Sequence, residues 1–173
     1  EARGYVDRDD AGDYSAGPTI LRLAASLRGG TVLDRLATIA QPHLDALAEQ
    51  TGESAYLAVS DGRTGTYIAT AESRRAIRHV GWVGQDVTLD GSALGAALAE
   101  PGVTATRIGA VEADITAMSQ ALPANGKLGI AVSVVGPMHR FTDTQRAQHE
   151  RDLDRTVRAL TAELRTTGED FTS

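Results

Sequence analysis

The apolar positions of this chain switch between two periods, and the switches mark out its elements. From Thr19 to Arg28, Ile20, Leu21, Leu23, Ala24 and Leu27 cluster at helical spacing, and Gly29-Gly30 closes the run. A longer helix is predicted from about Thr31 to Gln50, with Leu33, Leu36, Ala40, Leu44 and Leu47 three and four residues apart. Pro42 falls inside it and should kink or divide it. Thr51-Gly52 is its stop. The period then shortens to two. Ser54–Ser60 and Thr66–Ala71 flank Asp61-Gly62-Arg63-Thr64-Gly65 and read as a β-hairpin, with Ile77–Val83 predicted as a third strand.

Beyond this the pattern is helix, strands, helix. Ala93–Ala99 reads as a short helix, and Val103–Val111 as either a short strand or a loop. Ile115–Leu122 and Lys127–Val135 are joined through Pro123-Ala124-Asn125-Gly126, and Asn-Gly between apolar runs is a strong hairpin signal. The second of these strands is the most apolar and is predicted to be central, ending at Gly136-Pro137. A last helix starts at Phe141-Thr142, with Gln145 placed for a capping box and Leu153, Val157, Leu160 and Leu164 as its buried stripe. At the other end, Tyr5–Arg8 and Asp13–Ser15 read as a small hairpin around Asp9–Gly12. The succession predicts an α+β fold, a largely antiparallel central sheet flanked by helices.

Composition narrows the function classes. Cysteine is absent, which excludes disulfides, thiolate metal sites and a cysteine nucleophile, and fits a cytoplasmic setting. Aromatic residues make up only 4%, so the core must be largely aliphatic and alanine. No apolar run reaches the roughly 20 residues that span a bilayer, so no membrane association is expected. The formal net charge of −6 opposes non-specific binding to nucleic acid. His43, His79, His139 and His149 show no i, i+4 pairing, so no metal site is expected. There is no G-x-S-x-G elbow and no phosphate-cradling Gly-rich loop. With no nucleophile, base and orienting group together, neither an enzyme nor a cofactor is expected. The chain opens Glu1-Ala2-Arg3-Gly4, without methionine, and reads as part of a longer protein.

The stretch Gly84–Glu100 (GQDVTLDGSALGAALAE) stands out as a loop turning sharply into a helix. Gly84 and Gly91 allow backbone conformations closed to other residues, and Asp90 or Ser92 can cap the helix. Its small first turn offers N–H groups to an anion or carboxylate, although a capped, tightly packed helix would have the same sequence.

Four segments, in order, resemble the effector-binding half of IclR-type bacterial transcription regulators, over essentially Tyr5–Leu164. GYVDRDDAGDYSAGPTILRL is similar to the wing of a winged helix-turn-helix domain running into a linker helix. PHLDALAEQTGESAYLAVSDGRTGTYIA resembles the helix and first hairpin of the ligand domain. VGQDVTLDGSALGAALA resembles the pocket loop and helix, and GIAVSVVGPMHRFT the last core strand and its exit. The resemblance implies a wing remnant at 1–16, a linker helix at 17–30, a GAF-like (profilin-like) effector domain at 31–166 and a tail at 167–173. It further implies a homodimer or tetramer and a small metabolite, carboxylated or aromatic, that modulates operator DNA binding through an upstream domain. A stand-alone GAF-like sensor or dimerisation module without DNA binding is the alternative.

By motif, the family's pocket residues fall on Gly91, Ser92, Ala93, Leu94, Ala117 and Ser133, with Trp82 and Met118 as walls. Ser133 can equally satisfy a backbone group, Ala117 and Leu94 can equally be core, and Trp82 is either packing or a lid. The chain departs from the family's usual pattern in three places. Gly95-Ala96-Ala97 stands where Gly-Lys-Ala is usual, and Val135 where serine is frequent. The acidic segment before Ile115 is shortened to Glu100–Asp114, leaving Glu112 as the candidate pocket acid. These departures imply a more apolar pocket.

Residues 1–15 set Arg3 and Arg8 against Glu1, Asp7, Asp9, Asp10 and Asp13. This chain alone is therefore expected to bind no duplex DNA at physiological salt. Micromolar, salt-dependent binding in an anisotropy titration would overturn that.

Overall fold

The first long helix, α1 (Val32–Thr51), begins where the sequence can satisfy its free N–H groups. The Thr31 hydroxyl accepts the Asp34 N–H at 3.1 Å, and the Asp34 carboxylate takes the Thr31 N–H at 3.1 Å. At the other end Gly52 adopts φ 71° and returns its N–H to the Ala48 carbonyl at 2.9 Å. Pro42 does not divide the helix, which runs unbroken for 20 residues. The missing N–H costs one backbone bond, and burial of Leu36, Ala40, Leu44 and Leu47 on either side of Pro42 holds the helix together. The structure, a computed structural model, describes residues 6–8, 14–16, 31–123 and 128–167. The predicted 19–28 helix, the 9–12 turn, the Asn125-Gly126 turn and most of the tail lie outside the described residues.

Strands β1 (Val6–Arg8) and β2 (Tyr14–Ala16) pair antiparallel, with Val6 opposite Ala16. The main sheet has six antiparallel strands in the order β5-β4-β3-β8-β7-β6. They are β3 (Ser54–Ser60), β4 (Thr64–Ala71), β5 (Asp86–Thr88), β6 (Thr104–Ile108), β7 (Ile115–Ala121) and β8 (Gly129–Pro137). The most apolar strand, β8, is central as expected, between β3 and β7, and extends through Gly136-Pro137 to pair Pro137 with Ile115.

Alternation along these strands sorts the side chains into two cores. On one face Leu57, Val59, Val132, Val134 and Met118 pack against α1 and the last helix, α3 (Asp143–Thr167). That helix begins at Thr142, whose N–H and hydroxyl both donate to the Gln145 carboxamide oxygen, at 3.2 and 2.8 Å. The predicted stripe Leu153, Val157, Leu160 and Leu164 is buried. On the other face Tyr56, Ala58, Tyr67, Ala131 and Val135 meet the short helix α2 (Ala93–Ala99). The fold is therefore α+β, with a sheet covered on both sides.

One predicted strand is not there. Ile77–Val83 is irregular, and Val83 makes only an isolated parallel bridge to Tyr67. Its apolar residues do not bury one face: Ile77 is 71% exposed and Val80 and Val83 are also exposed, while His79 turns inward. Gly81, at φ 81°, further breaks any two-residue alternation. The edge place beside β4 goes to β5, in which Val87 alone is buried. Val103–Val111, read as strand or loop, divides into β6 and a loop.

Ser92 caps α2, accepting the Gly95 N–H at 3.0 Å. The turn before it folds so tightly onto the helix that a Cβ at Gly95 would lie 1.9 Å from the Leu89 carbonyl oxygen. Gly91 has φ 70°, and a Cβ there would meet open space. Gly95→Ala should therefore destabilise by about 1–3 kcal/mol or more, lowering the melting temperature by roughly 2–4 °C per kcal/mol. Gly91→Ala should cost only its backbone strain, about 1–2 kcal/mol. Equal melting temperatures for Gly95→Ala and the wild type would contradict this packing.

Candidate functional site

A cleft opens between the α2 side of the sheet and two irregular segments, 72–83 and 109–114. The first segment has no ladder of its own, so side chains from β3 hold it. His79's carbonyl accepts from the Ser54 hydroxyl at 2.7 Å and from the Tyr56 hydroxyl at 3.0 Å. The Ser73 N–H donates to Ser54 Oγ at 3.1 Å. The Ile77 carbonyl accepts from Arg140 at 2.8 Å. Arg140 also donates to the Glu53 carboxylate at 2.9 Å, and Arg75 does so at 3.1 Å. Glu53 is only 1% exposed; burial pushes its carboxyl up, and the Arg140 and Arg75 guanidiniums pull it back. The second segment is tied by Gly109 N–H to Ile115 O and by Met138 N–H to Asp114 O, both at 2.8 Å.

Anchored in this way, the first segment carries His79 and Trp82 over the sheet. Their rings stack with centroids 5.1 Å apart at 28°. Trp82 meets Tyr67 edge-on at 6.5 Å, and Tyr56 lies 4.8 Å from Tyr67. Burial raises the pKa of both tyrosines, so both phenols stay neutral. Tyr67, Ile115, Ala117 and Val135 form an apolar floor, and Ser92, Ala93 and Leu94 form the wall from α2. Arg107 and Glu112 bring charge to the lining. Arg107 makes no ion pair among the described residues. Glu112 Oε1 stands 4.0 Å from His79 Nε2. The cleft encloses about 460 Å³ with its open mouth included, but the space open to the centre of a water molecule is about 30 Å³. That space holds a water or two.

Of the residues singled out in the sequence, Ser92, Ala93, Leu94, Ala117 and Trp82 meet in this cleft, and so does Glu112. Trp82 both packs and covers. Three do not line it. Met118 is in the helix-facing core, because neighbouring strand residues point to opposite faces and Ala117 faces the cleft. Ser133 is on the cleft side of the sheet but buried beneath it, with its hydroxyl 2.7 Å from that of Ser119. Gly91 serves the turn. The N-terminus of α2 is also less open than its sequence suggests, since the Ser92 N–H and hydroxyl both donate to the Leu89 carbonyl, at 3.2 and 3.0 Å. The sequence reading missed Tyr67, His79, Arg107 and Ile115 as lining residues. For Ile115 the signal was available, since it shares strand parity with Ala117. Among the described residues, no three His, Cys, Asp or Glu side chains converge to hold a metal ion, and no helix is long and apolar enough to cross a membrane.

Burial holds His79 below the ordinary imidazole value, against the pull of Glu112. The unfolded chain takes up this proton near pH 6.5, the folded chain only at lower pH. The associated stability is thus complete above about pH 6.5 and is lost as pH falls from there towards the folded value. His149 shifts in the same direction and Glu53 in the opposite one, so the variant has to isolate the effect. Denaturant unfolding from pH 7.5 to 5.5 should show a shallower loss of stability in His79→Asn than in the wild type. Equal slopes would mean that His79 does not titrate differently on folding.

Among curated proteins none matches the chain significantly. Solved structures do. IclR of Thermotoga maritima superposes with a TM-score of 0.68 at 20% identity, over 94% of this chain and 81% of its own. An IclR family transcriptional regulator from Brucella abortus gives 0.70 at 17%, over 94% and 75%. Pseudomonas aeruginosa HmgR gives 0.65 at 22%, over 94% and 79%. At such identities the likeness speaks for the fold. The sequence model of the bacterial transcriptional regulator IclR C-terminal domain matches residues 31–118, slightly more than half of the chain. A fold shared over most of the chain and a sequence signature that runs from α1 through β6 lead to one conclusion: the chain belongs to the IclR family of bacterial transcriptional regulators and carries its C-terminal domain.

Proposed function

We propose that this domain senses a small metabolite in the cleft beneath His79 and Trp82, and that occupancy modulates operator binding by an upstream winged helix-turn-helix domain. In this reading residues 1–16 belong to the wing, 17–30 link the two parts and 31–166 form the sensor, which assembles as a homodimer or tetramer. The helical spacing of apolar residues in the 19–28 sequence supports assembly, since the helix it predicts would carry more apolar surface than a lone helix leaves in water. The observation that carries the sensor reading is the cleft's composition. An apolar floor with a few polar groups is how small-molecule sites are built, and Arg107 gives a carboxylate a partner there. That role falls to a side chain rather than to the α2 terminus, whose leading serine is already bonded to Leu89. Ser92, Ala93, Leu94, Ala117 and Trp82 are the proposed contacts, with Ser133 supporting the floor from below. Met118 and Gly91 act only indirectly.

The enclosed space is small, so a ligand of one ring has to part the two segments, and its binding energy would favour that state. A panel of small aromatic and carboxylic acids should yield compounds that stabilise the fold. A hundredfold excess over Kd gives about 2.7 kcal/mol, or roughly 5–10 °C in melting temperature. Ala117→Leu should abolish the shift by filling the floor, Arg107→Ala should weaken it for the acids alone, and Ser133→Ala should leave most of it. A full shift in Ala117→Leu would place the ligand elsewhere.

A further inference from the structure

Taking the cleft as the ligand site, we infer that it selects ligands presenting a hydrogen-bond donor, a hydroxyl or an amine N–H, to His79 Nε2. Tyr56 forces this choice. Its hydroxyl oxygen lies 3.0 Å from the His79 carbonyl oxygen and 2.9 Å from Nδ1 of the same residue. A phenol has one proton. Given to Nδ1, it would leave two oxygens 3.0 Å apart with no proton between them. Given to the carbonyl, it leaves the phenol oxygen free to accept from an Nδ1–H, and both contacts become hydrogen bonds. The neutral ring then carries its proton on Nδ1 and a bare lone pair on Nε2.

That nitrogen faces the cleft. The side chain is 7% exposed, and the Glu112 carboxylate, 4.0 Å away, also only accepts. Among the described residues, no side chain donates a hydrogen bond to either of them there. Stacking on Trp82 fixes the ring plane, and the bond to Tyr56 fixes its rotation, so the acceptor direction is set before a ligand arrives. A ligand offering only acceptors at this end would meet two sets of lone pairs, whereas a hydroxyl or amine meets a preorganised partner.

The test uses phenol, aniline, anisole and toluene, titrated into the 173-residue protein, together with ¹⁵N-histidine NMR of the unliganded protein. Expected are an Nδ1–H tautomer for His79 and affinities for phenol and aniline about tenfold above those for anisole and toluene. In Tyr56→Phe the proton is free to move to Nε2, towards Glu112, and the preference should fall to about one, with toluene affinity retained. An Nε2–H tautomer in the wild type overturns the inference, and so does equal binding of phenol and anisole, while the cleft stands as the ligand site. If none of the four binds and Ala117→Leu leaves intact the melting shift given by a compound from the acid panel, the cleft is not the ligand site and the inference fails with that reading.

Discussion

Buried polar backbone outside a sheet must find hydrogen-bond partners, and at Ser73 and His79, the two buried residues of the otherwise largely exposed 72–83 segment, this constraint shapes the cleft side of the domain. Segment 72–83 crosses the sheet without strand pairing, and β3 supplies what a neighbouring strand would have given. Ser54 and Tyr56 bond the His79 carbonyl, and Glu53 recruits Arg140, which in turn bonds the Ile77 carbonyl. Ser54 and Tyr56 of β3, and Glu53 just before it, thus hold the segment above while buried in the domain themselves. The carboxylate presses on β8 as well, where a Cβ at Gly136 would stand against Glu53 Oε2. Breaking a buried ion pair by removing one partner typically costs about 3–5 kcal/mol. Here such a loss would also release the segment that closes the cleft.

Two helices, the β3–β4 and β7–β8 hairpins and the central place of β8 were legible because each rests on a repeated signal. Leucines recur three and four apart in α1 and α3, and apolar runs bracket turn residues. Thr31 with Asp34 and Thr142 with Gln145 announce the helix starts. Ile77–Val83 misled for the opposite reason. Its valines and isoleucine imitate a strand, yet the groups that position it are polar residues more than twenty positions away in sequence. No local pattern encodes that. Pro42 misled differently, since the neighbouring leucines bury enough surface to keep the helix whole.

The candidate site was half legible. The turn into α2 reads directly from glycine and serine, and the resemblance to a known family located the facing strand. Met118 was assigned to the cleft along with Ala117, although adjacent strand residues cannot share a face. His79 and Tyr67 gave no signal of their own: one is a lone histidine, the other a tyrosine in a hairpin strand. Their importance comes from the four-ring cluster with Tyr56 and Trp82, which forms only once β3, β4 and the crossing segment are together.

The closeness of the cleft bears on time as well as affinity. If the cleft takes a metabolite as proposed, an interior with room for a water or two would not admit it at the rate at which it collides with the surface. Entry would wait for the two segments over the cleft to part, and departure for the same event. Response time would then be a property of the protein's own motion, and the observed binding rate would level off as concentration rises. A sensor gated in this way ignores brief fluctuations in its metabolite and reports a level that persists.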